Sequence, residues 1–251
     1  MTILEFKNAS IAFGGVKAIE GVSFSMERGE VLSIVGPNGA GKTTLFNLIS
    51  KIYDLDSGSI IFNNIELKET RPHEIAKLGI ARTFQNTELF EHESVLNNLL
   101  IGCHVHTGTN LVDELFFLRK AQDQELVFRK NAENIIDLLD LQSYRNTKIV
   151  SLPFGIRKLV EIGRALCLKP KLVLLDEPSS GLNPEETEDL VFQIEDIKEE
   201  LSISILMIEH DMNLVSKASD SVLALADGKV LTVGKPQEVQ KHPEVIKAYL
   251  G

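Results

Sequence analysis

The chain has few cysteines, no long apolar run and no excess of basic residues. Its two cysteines, Cys103 and Cys167, are too few for a disulfide-stabilised scaffold, and we expect both to be reduced thiols of a cytosolic protein. The longest apolar runs, such as 172–175 and 222–226, fall far short of the roughly 20 residues that a membrane-spanning helix needs. The first residues, 1–5, lack the basic and apolar regions of a signal peptide. We therefore expect a protein that does not cross a bilayer by itself.

The charge balance of the chain is acidic, with 26 basic against 36 acidic side chains and a formal net charge of −10. Such a chain repels a phosphate backbone overall, which disfavours broad nucleic-acid binding. Hydrophobic residues make up 43% of the 251 positions, a normal share that excludes a disordered polymer or a collagen-like repeat. The length fits one α/β domain, or two small ones, with enough apolar material for a core.

Two patterns of apolar residues predict the organisation of the chain. Alternating apolar residues at 4–6, 11–13 and 22–26 predict the short strands of a small antiparallel sheet. Later, apolar strands alternate with helices, and strands joined by helices of about 10 to 15 residues pair in parallel. The middle of the chain loses its strand signals and has helical spacing instead. We predict a core made of residues 1–85 and 160–251, which includes the antiparallel part, and an inserted helical subdomain at 86–159.

A glycine-rich segment lies between a strand predicted to end at Val35 and a helix predicted to begin at Lys42. It matches the pattern G-x-x-x-x-G-K-[ST], in which glycines let backbone N–H groups surround phosphate oxygens. We expect Lys42 to reach the β and γ phosphates and the Thr43 hydroxyl to bind Mg²⁺. The alternative is an ordinary glycine-rich turn, which the flanking strand and helix disfavour. The predicted nucleotide-binding residues of this segment are Gly36, Pro37, Asn38, Gly39, Ala40, Gly41, Lys42, Thr43 and Thr44.

Two carboxylates, Asp176 and Glu177, follow the buried strand predicted at Leu172–Leu175. Open α/β sheets bind ligands at the carboxyl ends of their strands, which is where both side chains would lie. We expect Asp176 to hold Mg²⁺ through water and Glu177 to polarise an attacking water. Alone, the pair would also suit a solvated strand end. Beside a phosphate-binding loop, it favours hydrolysis of a nucleoside triphosphate.

These segments together resemble the ATP-binding-cassette (ABC) ATPases, and further residues match that family in its order along the chain. The resemblance implies a P-loop NTPase fold of the RecA-like α/β class, with a parallel sheet core, and it implies ATP and Mg²⁺ as cofactors. It also implies that Phe13 stacks on adenine, that Gln85 contacts Mg²⁺ and the lytic water, and that His210 contacts the γ-phosphate. In the family, the glutamine also senses the membrane partner. Each residue has a simpler interpretation too, as a core aromatic, a solvated loop amide and a loop histidine respectively.

The signature segment departs from the pattern of the family, which is usually Leu-Ser-Gly-Gly-Gln. Here the segment consists of Leu152, Pro153, Phe154, Gly155 and Ile156. The resemblance implies that it begins a helix whose N–H groups complete the ATP site of the opposite subunit. Pro153 offers neither a hydroxyl nor an N–H, and Ile156 replaces an amide. One hypothesis is therefore that the signature surface of this chain binds the ATP of the opposite subunit more weakly. The other hypothesis is that this subgroup tolerates such variation.

Other segments resemble one subgroup, the larger ATPase subunits of branched-chain amino-acid importers. These segments are Phe13–Gly15, Ala81–Gln85, Leu159–Leu166, Gly181–Thr187 and His242–Gly251. The resemblance covers essentially the full length, and it implies import of a small polar solute through separate integral membrane permease subunits. It further implies a second ABC ATPase as a homodimer or heterodimer partner, an indirect periplasmic or extracellular solute-binding protein and no nucleic acid. The expected location is peripheral, at the cytoplasmic face of the inner membrane.

Several alternatives to this function stay open. Lipopolysaccharide-export ATPases share several of these segments, although they keep a more ordinary signature. An importer for another amino acid or a urea-like solute would carry the same ATPase motifs. A cassette protein acting on DNA or ribosomes would usually carry a coiled-coil arm, a zinc module or a second cassette, and this sequence has none of them. A catalytically weak binding subunit is disfavoured by the intact Lys42, Asp176, Glu177 and His210.

Three further features each have two interpretations. The apolar pairs 89–90 and 95–96 suit a groove that receives a permease helix, or simple packing within the helical part. The segment Cys103–His106 suggests a metal site only weakly, because a second ligand pair at zinc-like spacing is absent from the sequence. Asn183 stands where the family usually has aspartate, in the loop that bridges the two sites of the dimer. The amide keeps an acceptor but loses the charge, so one interpretation is that coupling between the subunits differs here.

Overall fold

The computed structural model describes residues 1–83, 88–103 and 119–250, without the side chains of 119–121 and 250. The strands are β1 (Thr2–Phe13), β2 (Val16–Glu27), β3 (Val31–Val35), β4 (Ser57–Phe62), β5 (Ile65–Glu66), β6 (Ile80–Arg82), β7 (Leu172–Asp176), β8 (Ser204–Ile208), β9 (Ser221–Ala226) and β10 (Lys229–Gly234). The α-helices are α1 (Lys42–Ile49), α2 (Ile75–Leu78), α3 (Val95–Cys103), α4 (Arg119–Leu138), α5 (Phe154–Leu166), α6 (Pro184–Leu201), α7 (Met212–Ala218), α8 (Pro236–Val239) and α9 (Pro243–Leu250). Short 3₁₀ turns lie at Leu67–Glu69, Pro72–Glu74, Gln142–Tyr144 and Ile149–Ser151.

A four-stranded sheet with the order β2-β1-β4-β5 is antiparallel throughout, which confirms the predicted antiparallel part. The apolar segments at 4–6 and 11–13 belong to one strand, β1, and not to two separate strands. Asn8 lies between them with a positive φ of 48°, and the pairing with β2 shifts register between Phe6 and Ala9. Such a bulge changes which face the side chains occupy, and this explains the break in the apolar alternation.

A six-stranded sheet has the order β10-β9-β3-β8-β7-β6. Strand β3 pairs in parallel with both β8 and β9, and β7 pairs in parallel with both β8 and β6, whereas β10 is an antiparallel edge strand. All five residues of β3, of β7 and of β8 are buried, as expected for parallel strands that are covered on both faces. The predicted P-loop NTPase fold, with a parallel core and an antiparallel part, is therefore confirmed.

One hydrophobic core connects the two sheets through helix α1. Its members include Phe6 of β1, Phe46 of α1 and Leu206 of β8, all with almost no exposed surface. Leu45, Leu48 and Ile49 form the apolar face of α1, and this face lies in the core. The helix that carries the glycine-rich loop is thus fixed against both sheets.

The chain forms two compact units, one of residues 1–85 with 171–251 and one of residues 86–170. In the second unit, α3, α4 and α5 pack on one another. Val95 and Leu96 are buried there, which favours packing for these two residues, whereas Phe90 is 54% exposed. Cys103 and Cys167 are buried in this unit and are not joined in a disulfide. Across the described ranges 1–83, 88–103 and 119–250, no helix has the length and apolar character needed to cross a membrane.

Candidate functional site

The carboxyl ends of β3, β7 and β8 carry the predicted catalytic segments. These strands are neighbours in the six-stranded sheet and run parallel, so their carboxyl ends meet at one edge. Gly36 follows β3, Glu177 follows β7, and Glu209 with His210 follows β8. The fold therefore brings together segments that are far apart in the chain.

The glycine-rich loop between β3 and α1 is tightly packed at its start and open at its tip. Gly36 has a φ of +154°, and a Cβ atom there would lie 2.0 Å from the carbonyl oxygen of Leu225 in β9. Asn38 and Gly39 are exposed, and a Cβ on Gly39 would meet no atom within 4 Å. A loop with a fixed base and a solvent-facing tip is suited to receive a phosphate group on its backbone.

The side chain of Lys42 lies across this loop. It is buried, and its Nζ donates hydrogen bonds to the carbonyl oxygens of Gly36 at 2.6 Å and Pro37 at 3.0 Å. Burial lowers the pKa of Lys42, and the nearby carboxylates of Glu177 and Asp176 oppose that shift. One cation is therefore held between the loop and the two predicted acidic groups.

Helix α1 presents two threonines at the loop. Gly41 is its N-cap in a left-handed conformation, and Thr43 is exposed whereas Thr44 is half-buried. No acidic side chain lies in the first turn, so the positive end of the helix dipole is available to an anion. A hydroxyl and a helix N-terminus at one position suit a phosphate with its metal ion.

Asp176, the last residue of β7, is buried and forms an ion pair with Arg82. Arg82 Nη2 lies 2.9 Å from Asp176 Oδ2, and Arg82 Nη1 donates to Asn47 Oδ1 at 2.8 Å. The guanidinium also lies over the ring of Phe46, 5.5 Å from its centroid. Arg82 thereby links the metal-binding carboxylate predicted on β7 to helix α1, a contact that sequence reasoning missed.

Glu177 contacts His210 directly. His210 Nε2 lies 2.8 Å from Glu177 Oε1, and the Glu177 N–H donates to the carbonyl oxygen of Ile208 at 2.9 Å. Glu177 has a φ of +50°, which is uncommon for a residue with a side chain and is often found where function demands a particular side-chain direction. The structure thus brings together two residues that the sequence predicts separately.

A second residue missed by sequence reasoning is Glu209, which is only 1% exposed. Its Oε1 accepts the N–H of Ser179, and its Oε2 accepts the N–H groups of His210 and Asp211. The one available signal is a carboxylate that directly follows an apolar strand and precedes a histidine. Buried carboxylates are uncommon unless they are paired or hydrogen-bonded.

The remaining predicted residues of this unit are placed as follows. Phe13, at the end of β1, is 43% exposed, and its ring contacts that of Tyr53 edge to face with 4.9 Å between centroids. Gln85 lies outside the described residues. Its roles toward Mg²⁺ and water therefore stay predictions.

The signature segment lies in the helical unit and begins α5. Pro153 is the N-cap, with φ −54° and ψ 154°, and it supplies no side-chain hydrogen bond to the helix. Leu152 is buried, whereas Phe154 is exposed and Gly155 is half-buried. The guanidinium of Arg157 donates to the carbonyl oxygen of Leu152 at 2.9 Å, which fixes the entry to the helix.

The weak metal hypothesis at Cys103–His106 receives no support from the part of the chain that the structure describes. There, no group of three or more His, Cys, Asp or Glu side chains lies close enough to hold a metal ion. Cys103 is buried, and its Sγ accepts a hydrogen bond from Asn131 Nδ2 at 3.5 Å. His104 and His106 lie outside the described residues.

Two protein-family models match this chain. The family described as ABC transporter matches residues 19–180, a range that includes the glycine-rich loop and the carboxylates after β7. The family described as branched-chain amino acid ATP-binding cassette transporter matches residues 229–251, which contain β10, α8 and α9.

Relatives that match over nearly the full length are named as branched-chain amino acid transport ATP-binding proteins. The chain is 37% identical to the high-affinity branched-chain amino acid transport ATP-binding protein BraF of Pseudomonas aeruginosa, over 99% of this chain and 98% of that protein. It is 34% identical to the high-affinity branched-chain amino acid transport ATP-binding protein LivG of Escherichia coli, over 99% and 98% of the two chains.

Solved structures agree with these relatives. A nucleotide-free ATP-binding cassette from an ABC transporter has a TM-score of 0.86 and 34% identity, with each chain covered fully. The ADP conformation of an ATP-binding cassette has the same TM-score and 33% identity, over 100% of this chain and 99% of that one. The resemblance predicted from the motifs is confirmed: this chain belongs to the ATP-binding cassette ATPases of ABC transporters, the family that binds and hydrolyses ATP.

Proposed function

We propose that this chain is the ATPase subunit of a transporter that imports branched-chain amino acids. The observation that carries hydrolysis is the grouping of Lys42 with Asp176 and Glu177, together with the contact between Glu177 and His210. The choice of cargo is supported by the names of the full-length relatives and by the family match at 229–251. A lipopolysaccharide exporter or another solute importer would be an outcome of the tests below.

ATP would bind on the loop of residues 36–44, with its phosphates on the backbone N–H groups and against Lys42. Phe13 is the residue that we assign to adenine, and its exposed ring is consistent with stacking. For Mg²⁺, we assign Asp176, Thr43 and Gln85. A carboxylate and a hydroxyl are hard oxygen donors of the kind that Mg²⁺ prefers, so the described donors fit this ion. When bound, Mg²⁺ would neutralise negative charge on the phosphates.

In this proposal, Glu177 is the base that orients and polarises the attacking water. Its Oε1 is held by His210, which leaves the carboxylate in one orientation. We also assign His210 to the γ-phosphate, because its side chain is 41% exposed at the carboxyl edge of the sheet. Fixed groups of this kind need no rearrangement at the moment of reaction.

The signature residues Leu152, Pro153, Phe154 and Gly155 would act on the ATP of an opposite ABC ATPase, so the working unit is a homodimer or heterodimer. We further propose separate membrane permeases, an indirect solute-binding protein, no nucleic-acid partner and a peripheral position at the cytoplasmic face of the inner membrane. The exposed Phe90 of the helical unit suits an apolar contact with a permease helix.

The cargo is tested by deleting the gene in its native host and measuring uptake of radiolabelled leucine, isoleucine, valine and urea. We expect uptake of the three amino acids to fall and to be restored by the wild-type chain. The Glu199→Gln variant, a change of an exposed carboxylate on α6, should restore uptake equally, whereas Glu177→Gln should not. Unchanged amino-acid uptake, with loss of urea uptake or of lipopolysaccharide export, would contradict the proposed cargo.

The partners are tested with affinity-tagged Glu177→Gln, extracted from native membranes in ATP and analysed by mass spectrometry. Because this variant should bind ATP without hydrolysing it, the closed assembly should persist. We expect two permeases and a second ABC ATPase. Recovery of this chain alone, or with ribosomal or DNA-bound proteins, would contradict the transporter assembly.

A further inference from the structure

We propose that Glu209 is a positioning residue that holds His210 and the loop after Glu177 in the arrangement required for ATP hydrolysis. This inference rests on the roles proposed above for Glu177 and His210. Glu209 directly follows strand β8, at the carboxyl edge of the sheet.

The carboxylate of Glu209 accepts hydrogen bonds from two different loops. Its Oε1 lies 2.8 Å from the backbone nitrogen of Ser179, in the loop after Glu177. Its Oε2 lies 2.9 Å from the nitrogen of His210 and 3.3 Å from that of Asp211. One rigid carboxylate thus fixes the backbone on both sides of the catalytic pair.

Burial makes this contact specific. Glu209 is 1% exposed, and a carboxylate taken out of water is destabilising unless hydrogen bonds replace its hydration. The N–H groups of Ser179, His210 and Asp211 provide that replacement. They can do so only while both loops keep their positions. Moving either loop would leave the buried carboxylate without hydrogen bonds, and this free-energy cost restrains the two loops together.

The backbone of His210 is restrained from its other side by helix α7. Asp211 is the N-cap of this helix, and its Oδ1 accepts the N–H of Asn213 at 2.8 Å and that of Leu214 at 3.3 Å. His210 therefore lies between two anchors, the carboxylate of Glu209 and the start of α7. This double restraint defines where Nε2 meets Oε1 of Glu177, 2.8 Å away.

A glutamine at position 209 tests the proposal with almost no change in shape. Gln keeps one oxygen that can accept a hydrogen bond. Its NH₂ group, however, would replace the other carboxylate oxygen, so a donor would face a backbone N–H that bonds to an acceptor in the wild type. We expect Glu209→Gln to lower kcat roughly tenfold to a hundredfold, since small misplacements of catalytic groups cost about that much. The KM and the Kd for ATP should stay within about twofold, and Glu199→Gln should change neither parameter.

A double-mutant cycle separates positioning from a general loss of structure. In a His210→Ala background, Glu209→Gln should lower the residual kcat by a smaller factor than in the wild type, because only the loop after Glu177 is then left for Glu209 to position. A further loss in that background as large as in the wild type would overturn the proposal. So would an unchanged kcat, or a raised KM with kcat intact, in Glu209→Gln itself.

Two controls keep the outcome interpretable. Thermal unfolding identifies a Glu209→Gln chain that does not fold, and Glu209→Asp then replaces it, because Asp keeps the charge but reaches less far and should show the same split between kcat and KM. A wild-type chain without ATPase activity would contradict the proposed function. An active wild type with an equally active Glu209→Gln would contradict only the positioning role.

Discussion

His210 Nε2 lies 2.8 Å from Glu177 Oε1, although the two residues are 33 positions apart in the chain. The contact exists because β7 and β8 are adjacent parallel strands, and each residue follows the carboxyl end of one of them. Neither side chain can move far without losing the other.

Replacing Glu177 by glutamine removes the proposed base and keeps the size of the side chain. We expect kcat for ATP hydrolysis to fall by about 10² to 10⁴, the range attributed to general base catalysis, with the Kd for ATP within about threefold of wild type. Steady-state ATPase assays and fluorescent nucleotide titrations measure the two quantities. Glu199→Gln serves as the matched control, and a Glu177→Gln chain with more than a tenth of normal activity would refute the assignment.

Lys42→Met should separate nucleotide binding from stability. The variant loses a charged donor to phosphate, so the Kd for ATP should rise roughly a hundredfold. The melting temperature without nucleotide should change by only about 2 °C, because the lost hydrogen bonds to Gly36 and Pro37 are offset by relief from burying a charge. Thermal shift with and without ATP measures both effects. Lys241→Met, at an exposed position, should behave as wild type in both assays.

Two glycines of the same loop should differ sharply when replaced by alanine. In Gly36→Ala, the new Cβ would lie 2.0 Å from the carbonyl oxygen of Leu225, and we expect the free energy of unfolding to fall by about 3 kcal/mol or more. Gly39→Ala meets no atom within 4 Å and should cost about 1 to 2 kcal/mol through its φ of +80° alone. Urea denaturation compares them, and equal losses would show that packing against β9 is unimportant.

The signature segment can be restored to the pattern of the family with Pro153→Ser and Ile156→Gln. We expect ATPase rates within about twofold of wild type, because the N–H groups and dipole of α5 already remain at this position. Rates are to be measured in the assembled transporter, with Lys241→Met as the control. A rise of roughly tenfold would instead support the hypothesis that the natural segment weakens the ATP site of the partner.

The ion pair between Glu133 and Arg145 should make stability depend on pH. Arg145 Nε donates to both carboxylate oxygens of Glu133, at 2.9 and 2.8 Å, and these bonds lower the pKa of Glu133 below its ordinary value of 4.5. A lowered folded-state pKa adds stability above pH 4.5, and that stability is lost as the pH falls through the lowered value. Glu133→Gln should thus lower the free energy of unfolding at pH 7 by roughly 0.5 kcal/mol, because solvent screens a pair whose side chains are each 32% exposed.

Urea denaturation between pH 7 and pH 3 tests this dependence. The difference between wild type and Glu133→Gln should shrink below pH 4.5, whereas Glu125→Gln, at an exposed position on α4, should show no such trend. A difference that stays constant across the range would mean that packing, and not charge, makes position 133 important.

The fold was largely predictable from the sequence. Strands β3, β7 and β8 are short apolar runs, and helices separate them in the chain, which is a strong local signal for a parallel sheet. The course of β1 was predicted less well, because the bulge at Asn8 interrupts its alternation. A pattern of period two cannot distinguish a bulged strand from two separate strands.

The contacts of Arg82 and Glu209 could not be predicted in the same way. Arg82 binds Asp176 across 94 positions of the chain, and Glu209 binds Ser179 across 30 positions. Both residues belong to types that are usually solvated on the surface, and no local pattern indicates which distant group they meet. Motifs indicate residues that would touch a ligand, whereas the residues that hold those motifs in place become apparent only from the packing of the strands.

The central position of β3 has a consequence for the synthesis of the protein. Strands β1, β2, β4 and β5 all lie within the first 66 residues, so their sheet can form early on the ribosome. Strand β3 must wait for β8 and β9, and the N–H of Val31 bonds to Asp220, which lies 189 residues later. Contacts this distant in sequence form slowly. A nascent chain therefore completes its ATP site only after β9 has emerged, and a fragment that ends before β9 should fold its antiparallel sheet without binding nucleotide.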